Sequence, residues 1–220
     1  MSIRITNLTK RFGDHVLFEN LNLELPAGQI VALTGRYGCG KTTLLRMIAG
    51  LDKDYTGTIA GIPDRISFMF QEDRLLPWYD ARRNLEYVLK DVMDKEAMAA
   101  AVEGMIEAVG LKGHEHKKPD ELSGGMQRRV AMARAFLFPA DLLVMDEPFK
   151  GFDVALTEEL IALFERLYVG SGKTVLLVLH QPDIIARLQC AVVDVAALAA
   201  SDGVQRDQHQ LGPVENAQRE

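Results

Sequence analysis

Gly35-Arg36-Tyr37-Gly38-Cys39-Gly40-Lys41-Thr42 decides how this chain is read. The spacing is G-x-x-x-x-G-K-[ST], and it stands where that pattern carries meaning. The apolar run Ile30-Val31-Ala32-Leu33 precedes it, and the helical pattern Thr43-Leu44-Leu45-Arg46-Met47-Ile48 follows. An unbroken apolar run of this length reads as a strand buried on both faces. Glycines at the junction let the backbone turn so that successive N–H groups face one concavity, and the positive end of the next helix adds to them. Lys41 is then placed to reach β- and γ-phosphates, and the Thr42 hydroxyl to bind Mg²⁺. The predicted nucleotide-binding loop is therefore Gly35, Arg36, Tyr37, Gly38, Cys39, Gly40, Lys41, Thr42 and Thr43.

Working outward, two further apolar runs, Leu142-Leu143-Val144-Met145 and Thr174 to Leu179, read as buried strands. Between them Leu156, Leu160, Leu163, Phe164 and Leu167 fall at helical spacing. Strand, helix, strand with buried strands implies right-handed crossovers and a parallel sheet. Upstream, Ile3, Ile5 and Leu8, then Phe18, Leu21, Leu23 and Leu25, alternate as in antiparallel strands with one wet face, ended by Pro26-Ala27-Gly28. From about Asp80 to Phe138 the pattern is helical, and Met98, Val102, Met105, Ile106 and Val109 form a stripe read as core packing. The predicted fold is α/β: a P-loop NTPase (RecA-like) core with a parallel sheet, an antiparallel β subdomain and an inserted α-helical subdomain. The expected division is residues 1–78 and 139–200 for core and antiparallel part, 79–138 for the insert, and 201–220 for a loose polar tail.

Composition narrows the function classes. The 220 residues carry 25 Lys+Arg against 31 Asp+Glu, a formal charge of −6, which argues against a nucleic-acid partner. Cys39 and Cys190 fit no metal or redox spacing. The N-terminus lacks an apolar leader, and the longest apolar stretch, Cys190 to Ala200, is broken by Asp194 and falls short of the ~18–20 residues of a spanning helix. The expectation is a cytoplasmic protein whose role at a membrane comes through partners.

A second constellation selects hydrolysis. Leu142-Leu143-Val144-Met145-Asp146 ends its strand in a carboxylate, the arrangement that holds Mg²⁺ beside a phosphate loop. Glu147 follows, where a carboxylate can orient and polarise an attacking water. A small-molecule kinase needs no such residue here, and the guanine-reading pattern N-K-x-D is absent from the chain. ATP hydrolysis is the reading.

Leu122-Ser123-Gly124-Gly125-Met126-Gln127-Arg128-Arg129 then supplies a second anion site. Ser123 can cap the helix that begins near Gly125, leaving N–H groups and a positive dipole for a phosphate. Two phosphate-binding helix ends but one Lys-bearing loop make sense if two copies face each other. This stretch resembles the signature sequence of ATP-binding-cassette (ABC) ATPases. The resemblance implies that Leu122, Ser123, Gly124, Gly125 and Met126 of one subunit close over the ATP of the other. It implies that Phe12 stacks on adenine, that Gln71 senses Mg²⁺ and the attacking water, and that His180 contacts the γ-phosphate. Glu147, His180 and Gln71 are then the catalytic set, Thr42, Gln71 and Asp146 the Mg²⁺ set, and Asp153 communicates across the dimer.

Phe70-Gln71-Glu72-Asp73-Arg74-Leu75-Leu76-Pro77-Trp78 resembles the Q-loop of importer ATPases for nitrate, aliphatic sulfonates, taurine and similar solutes. The resemblance implies an importer motor at the cytoplasmic face of the inner membrane. Its partners are a second ATPase subunit, transmembrane permease subunits and, indirectly, a solute-binding protein, with no nucleic acid. An exporter ATPase or a soluble non-transport ABC ATPase would keep the same hydrolytic motifs. Trp78 reads either as part of a socket for a partner helix or as packing beneath the helical insert. The chain departs from the family at Lys150-Gly151-Phe152, where Gly-Ala-Leu is usual, at Ile184-Ile185 and at Cys190-Ala191. It ends soon after the ATPase core, so no solute-sensing domain is expected within it.

Overall fold

Alternating apolar side chains bury Ile3, Ile5 and Leu8 on one face of strand β1 (Ile3–Phe12), which pairs antiparallel with β2 (His15–Leu25). After the turn at Gly28, β3 (Ile30–Thr34) opens a second sheet, and α1 (Lys41–Ile48) follows the glycine-rich loop. The chain returns through β4 (Thr56–Ala60), which pairs antiparallel with the free edge of β1 to give the order β2-β1-β4. Then come β5 (Ile66–Met69) and the helices α2 (Ala81–Glu86), α3 (Lys95–Ala108) and α4 (Gly124–Leu137), with a 3₁₀ turn at Pro119–Glu121 before α4. β6 (Leu142–Asp146), α5 (Val154–Tyr168), β7 (Thr174–Val178), α6 (Pro182–Arg187), β8 (Ala191–Asp194) and α7 (Val195–Leu198) complete the chain. This computed structural model describes residues 2–198; the tail expected at 201–220 lies outside them.

The second sheet is parallel throughout, in the order β5-β6-β7-β3-β8. Its central strands β3, β6 and β7 are buried on both faces, so successive residues enter different cores. Ala32, Leu143, Met145, Val175 and Leu177 join the helices α2 to α6, with Val102, Ile106 and Val109 buried among them and Met98 and Met105 packed at the rim. Val31, Leu33, Leu142, Val144, Leu176 and Val178 face the other way, onto α1 and the antiparallel sheet. Ile184 and Ile185, where the sequence departs from the family pattern, are buried in the first of these cores.

One tie between elements is ionic. Lys10, on β1, is 2% exposed, and its Nζ donates to Asp52 Oδ1 at 3.1 Å and to the Asp54 carbonyl at 2.7 Å, pinning the antiparallel sheet to the turn after α1. The carboxyl ends of β3, β5, β6 and β7 share one edge of the parallel sheet, the place where such sheets collect ligands. Among the described residues no helix is long and apolar enough to cross a membrane.

Candidate nucleotide site

The loop between β3 and α1 needs its glycines. Gly35 has φ +126°, and a Cβ there would stand 2.9 Å from Cys39 Sγ and 3.0 Å from the Ala196 nitrogen. Gly40, the N-cap of α1, has φ +102°, and a Cβ would stand 2.7 Å from the Phe18 ring. No side chain caps α1, so its first N–H groups remain available to an anion. Lys41 is buried and arches back over the loop, its Nζ donating to the carbonyls of Gly35 at 2.8 Å and Arg36 at 3.0 Å. Thr43 is half-buried, Arg36 and Gly38 are exposed, and Tyr37 projects almost wholly into solvent. Cys39 is buried beneath the loop, with Sγ 3.9 Å from Lys41 Nζ. Phe12 ends β1 with half its surface exposed, so it is no core residue; the Lys10 ammonium lies 4.8 Å from its ring centroid.

β6 delivers the carboxylates. Asp146 is buried, and its Oδ2 accepts from Thr42 Oγ1 at 2.7 Å, joining strand end to loop. Burial pushes the Asp146 carboxyl above its ordinary range despite that hydrogen bond. Glu147 follows with φ +51°, a left-handed backbone uncommon for a residue with a side chain. Its Oε1 meets His180 Nε2 at 3.2 Å, and its Oε2 accepts from Lys150 Nζ at 2.7 Å and from Gln71 Nε2 at 3.5 Å. Burial works against the Glu147 charge, but Lys150 and then His180 outweigh it and hold the carboxyl below its ordinary range. Gln71, Glu147 and His180, separate in sequence, thus converge because β5, β6 and β7 end side by side.

Two side chains that hold the candidate site together are not anticipated by the sequence. Arg128 on α4 is buried, and its Nη1 donates to the carbonyls of Phe70 (2.9 Å) and Gln71 (2.8 Å) and to Asp73 Oδ1 (3.1 Å). Its Nη2 donates to the carbonyls of Asp146 (3.2 Å) and Glu147 (2.7 Å). Arg134, one face further along α4, donates to the carbonyls of Asp73 and Arg74, both at 3.0 Å. The other unforeseen residue is Lys150. The signal for Arg128 is faint, since Arg129 beside it and Arg134 on the same helix carry the same charge and only Arg128 is buried; Lys150 shows only as a departure from the family pattern.

Ser123 is the N-cap of α4 and accepts from the Met126 nitrogen at 3.3 Å, so the helix opens at Gly124. Leu122 is buried, while Gly124 and Gly125 share a cavity with Gln71, Asp73, Arg128 and Lys150. Asp153 caps α5, accepting from the Leu156 nitrogen at 2.9 Å. Trp78 is 65% exposed, which removes the reading that it packs beneath the helical insert.

Known proteins place this geometry. The family model described as ABC transporter matches residues 18–150, more than half of the chain. The chain belongs to the ABC transporter family. This ABC ATPase is 42% identical over 183 residues to the aliphatic sulfonates import ATP-binding protein SsuB 2 of Streptomyces avermitilis, covering 83% of this chain and 72% of that protein. It is 37% identical over 193 residues to SsuB 1 of Mesorhizobium japonicum, covering 86% and 73%. A dimeric ATP-binding cassette solved in a post-hydrolysis state bound to ADP and Pi superposes with TM-score 0.76 at 27% identity, covering 88% of this chain and 95% of that one. The α/β cassette fold of a P-loop ATPase read from the sequence is thus the fold observed.

Proposed function

We propose that this ABC ATPase is the motor subunit of an importer for a small anionic solute of the aliphatic sulfonate class, as the named relatives are. It works at the cytoplasmic face of the inner membrane, as a pair of cassettes bound to permease subunits that a solute-binding protein serves. The observation that carries the hydrolytic part is the convergence of Glu147, His180 and Gln71 just beyond the Thr42–Asp146 contact. Loop N–H groups and Lys41 hold the triphosphate, and Phe12 offers an exposed ring to the adenine. Thr42 Oγ1 and Asp146 Oδ2 are hard oxygen donors side by side, a set that fits Mg²⁺, with the Gln71 amide oxygen as a further donor. An ion held there would neutralise charge on the transferred phosphoryl group. Glu147 takes a proton from the attacking water, and His180 orients that carboxylate and reaches the γ-phosphate. Ser123 and the free N–H groups of Gly124 and Gly125 serve the nucleotide of the second copy.

Glu147→Gln tests the reading. The expected protein binds ATP, remains a dimer by light scattering, and hydrolyses ATP about 10²–10⁴-fold more slowly, the usual range for losing a general base. Undiminished turnover would remove Glu147 from that role. Loss of sulfonate uptake in cells lacking this chain, restored by the wild type and not by Glu147→Gln, tests the solute class.

A further inference from the structure

Glu147 is held at its backbone by Arg128, which bonds its carbonyl at 2.7 Å. That contact leaves the side chain with its own torsions free, and a base must present its oxygen to water within a fraction of an ångström. Beside the longer contact of Gln71 Nε2 with Oε2 at 3.5 Å, two closer groups grip the carboxylate from opposite segments. His180, after β7, meets Oε1 at 3.2 Å, and Lys150, on the loop after β6, bonds Oε2 at 2.7 Å. The Glu147 side chain is 14% exposed while that of Lys150 is 66% exposed, so the lysine reaches inward from the rim of the site. Lys150 also borders both hollows of this region, the one containing Gly124 and Gly125 and the one containing His180. A carboxylate offers about four lone-pair positions, so these two tethers and the longer Gln71 contact fix its plane and still leave room for a water.

We propose that Lys150 is a positioning residue for ATP hydrolysis: bonded to one oxygen of Glu147 while His180 holds the other, it fixes the plane in which that carboxylate receives the proton of the attacking water. The inference rests on the base reading of Glu147. A point-charge ammonium at this place is a feature of Lys150 itself, since Gly151 beside it has no side chain to offer.

The test compares steady-state and single-turnover ATPase rates of the full-length wild type, Lys150→Met, Lys150→Arg, Glu147→Gln and the Glu147→Gln/Lys150→Met double variant. With Lys150 itself 66% exposed, the contact adds little to folding, so these proteins remain folded for comparison. Lys150→Met is expected to lose about tenfold in kcat, with KM for ATP within about twofold, because a displaced but intact base is misaligned rather than absent. Lys150→Arg restores most of the rate, and in the Glu147→Gln background the lysine change costs nothing further. The inference is overturned if Lys150→Met keeps wild-type kcat, hydrolyses faster, or loses the same factor in the Glu147→Gln background. Should Glu147→Gln itself turn over normally, the base reading fails first; should it be inactive while Lys150→Met is normal, only the role of Lys150 falls.

Discussion

Arg128 joins residues 70–73 to residues 146–147, two segments that flank it on either side in the chain. A guanidinium is a planar fork with five N–H donors, and here its two terminal nitrogens serve four carbonyls and one carboxylate in a dry place. Arg128→Met should cost roughly 3–5 kcal/mol, the range for stripping a buried charged group of its partners, measured by urea unfolding. Arg128→Lys should recover little, because an ammonium cannot reproduce the fork; full recovery would show that charge alone suffices. The cysteines give a second expectation at this scale. Cys39 is buried beneath the loop, and burial pushes the Cys190 thiol up to about 12, so a soluble alkylating reagent should label both slowly in the native protein and rapidly in denaturant. Labelling of Cys39 at the rate of a free thiol would mean that the loop opens in solution. The residues that chemistry demands at a given spacing, Lys41, Thr42, Asp146 and Glu147, were legible because the motif states its own context. Arg128 and Lys150 were not, because their value lies in partners that only the folded chain brings near.

Elements were legible in proportion to their hydrophobic pattern. β3, β6 and β7 are unbroken apolar runs and announced themselves; β4, whose residues are exposed apart from half-buried Ile59, carries almost no pattern and is a strand because β1 offers it an edge. Caps were partly legible: Ser123 was expected to start α4, whereas Asp153 was read only through its family role, and the structure adds that it caps α5. Asp153→Ala should therefore cost about 1 kcal/mol of stability apart from any effect between subunits, visible in a thermal melt of the nucleotide-free protein. The Lys10 tie between β1 and the turn after α1 adds a pH dependence. Burial disfavours the charge on Lys10, but Asp52 and Asp54 raise its pKa above the ordinary value; burial likewise opposes the charge on Asp52, but Lys10 and the Asp54 N–H hold that carboxyl below its own. The Asp52 share of stability is thus full above about pH 4 and lost as pH falls through its lower folded value; the Lys10 share is full below about pH 10.4 and lost as pH rises through its higher one. The stability gap between wild type and Lys10→Met should be flat across neutral pH and close in acid. A gap unchanged to pH 2 would show that the pair is idle.

At the scale of the whole molecule, the parallel sheet lies between two cores, one shared with the antiparallel sheet and one with the helices. Both the layering and the site at the strand ends follow from buried runs separated by crossover helices, which is why the architecture could be read before it was seen. What covers the outer face could not be read, since nothing in one chain states its neighbours. Trp78 and Tyr87, 65% and 44% exposed, lie on the segment that runs from Gln71 into the helices. Trp78→Ala should leave ATP affinity unaltered and reduce recovery of the permease with the tagged cassette from detergent extracts. Equal recovery would move the docking surface elsewhere.

α4 is capped by Ser123; Arg128 on it grips the carbonyls of Gln71 and Glu147, and Arg134 further along grips that of Asp73. On the proposed function, the tip of this rod meets the neighbour's nucleotide while its flank holds the backbone of its own cassette's catalytic segment. On that proposal each half takes its firing signal from the other, and the rate at low ATP should climb with the square of occupancy instead of in proportion to it.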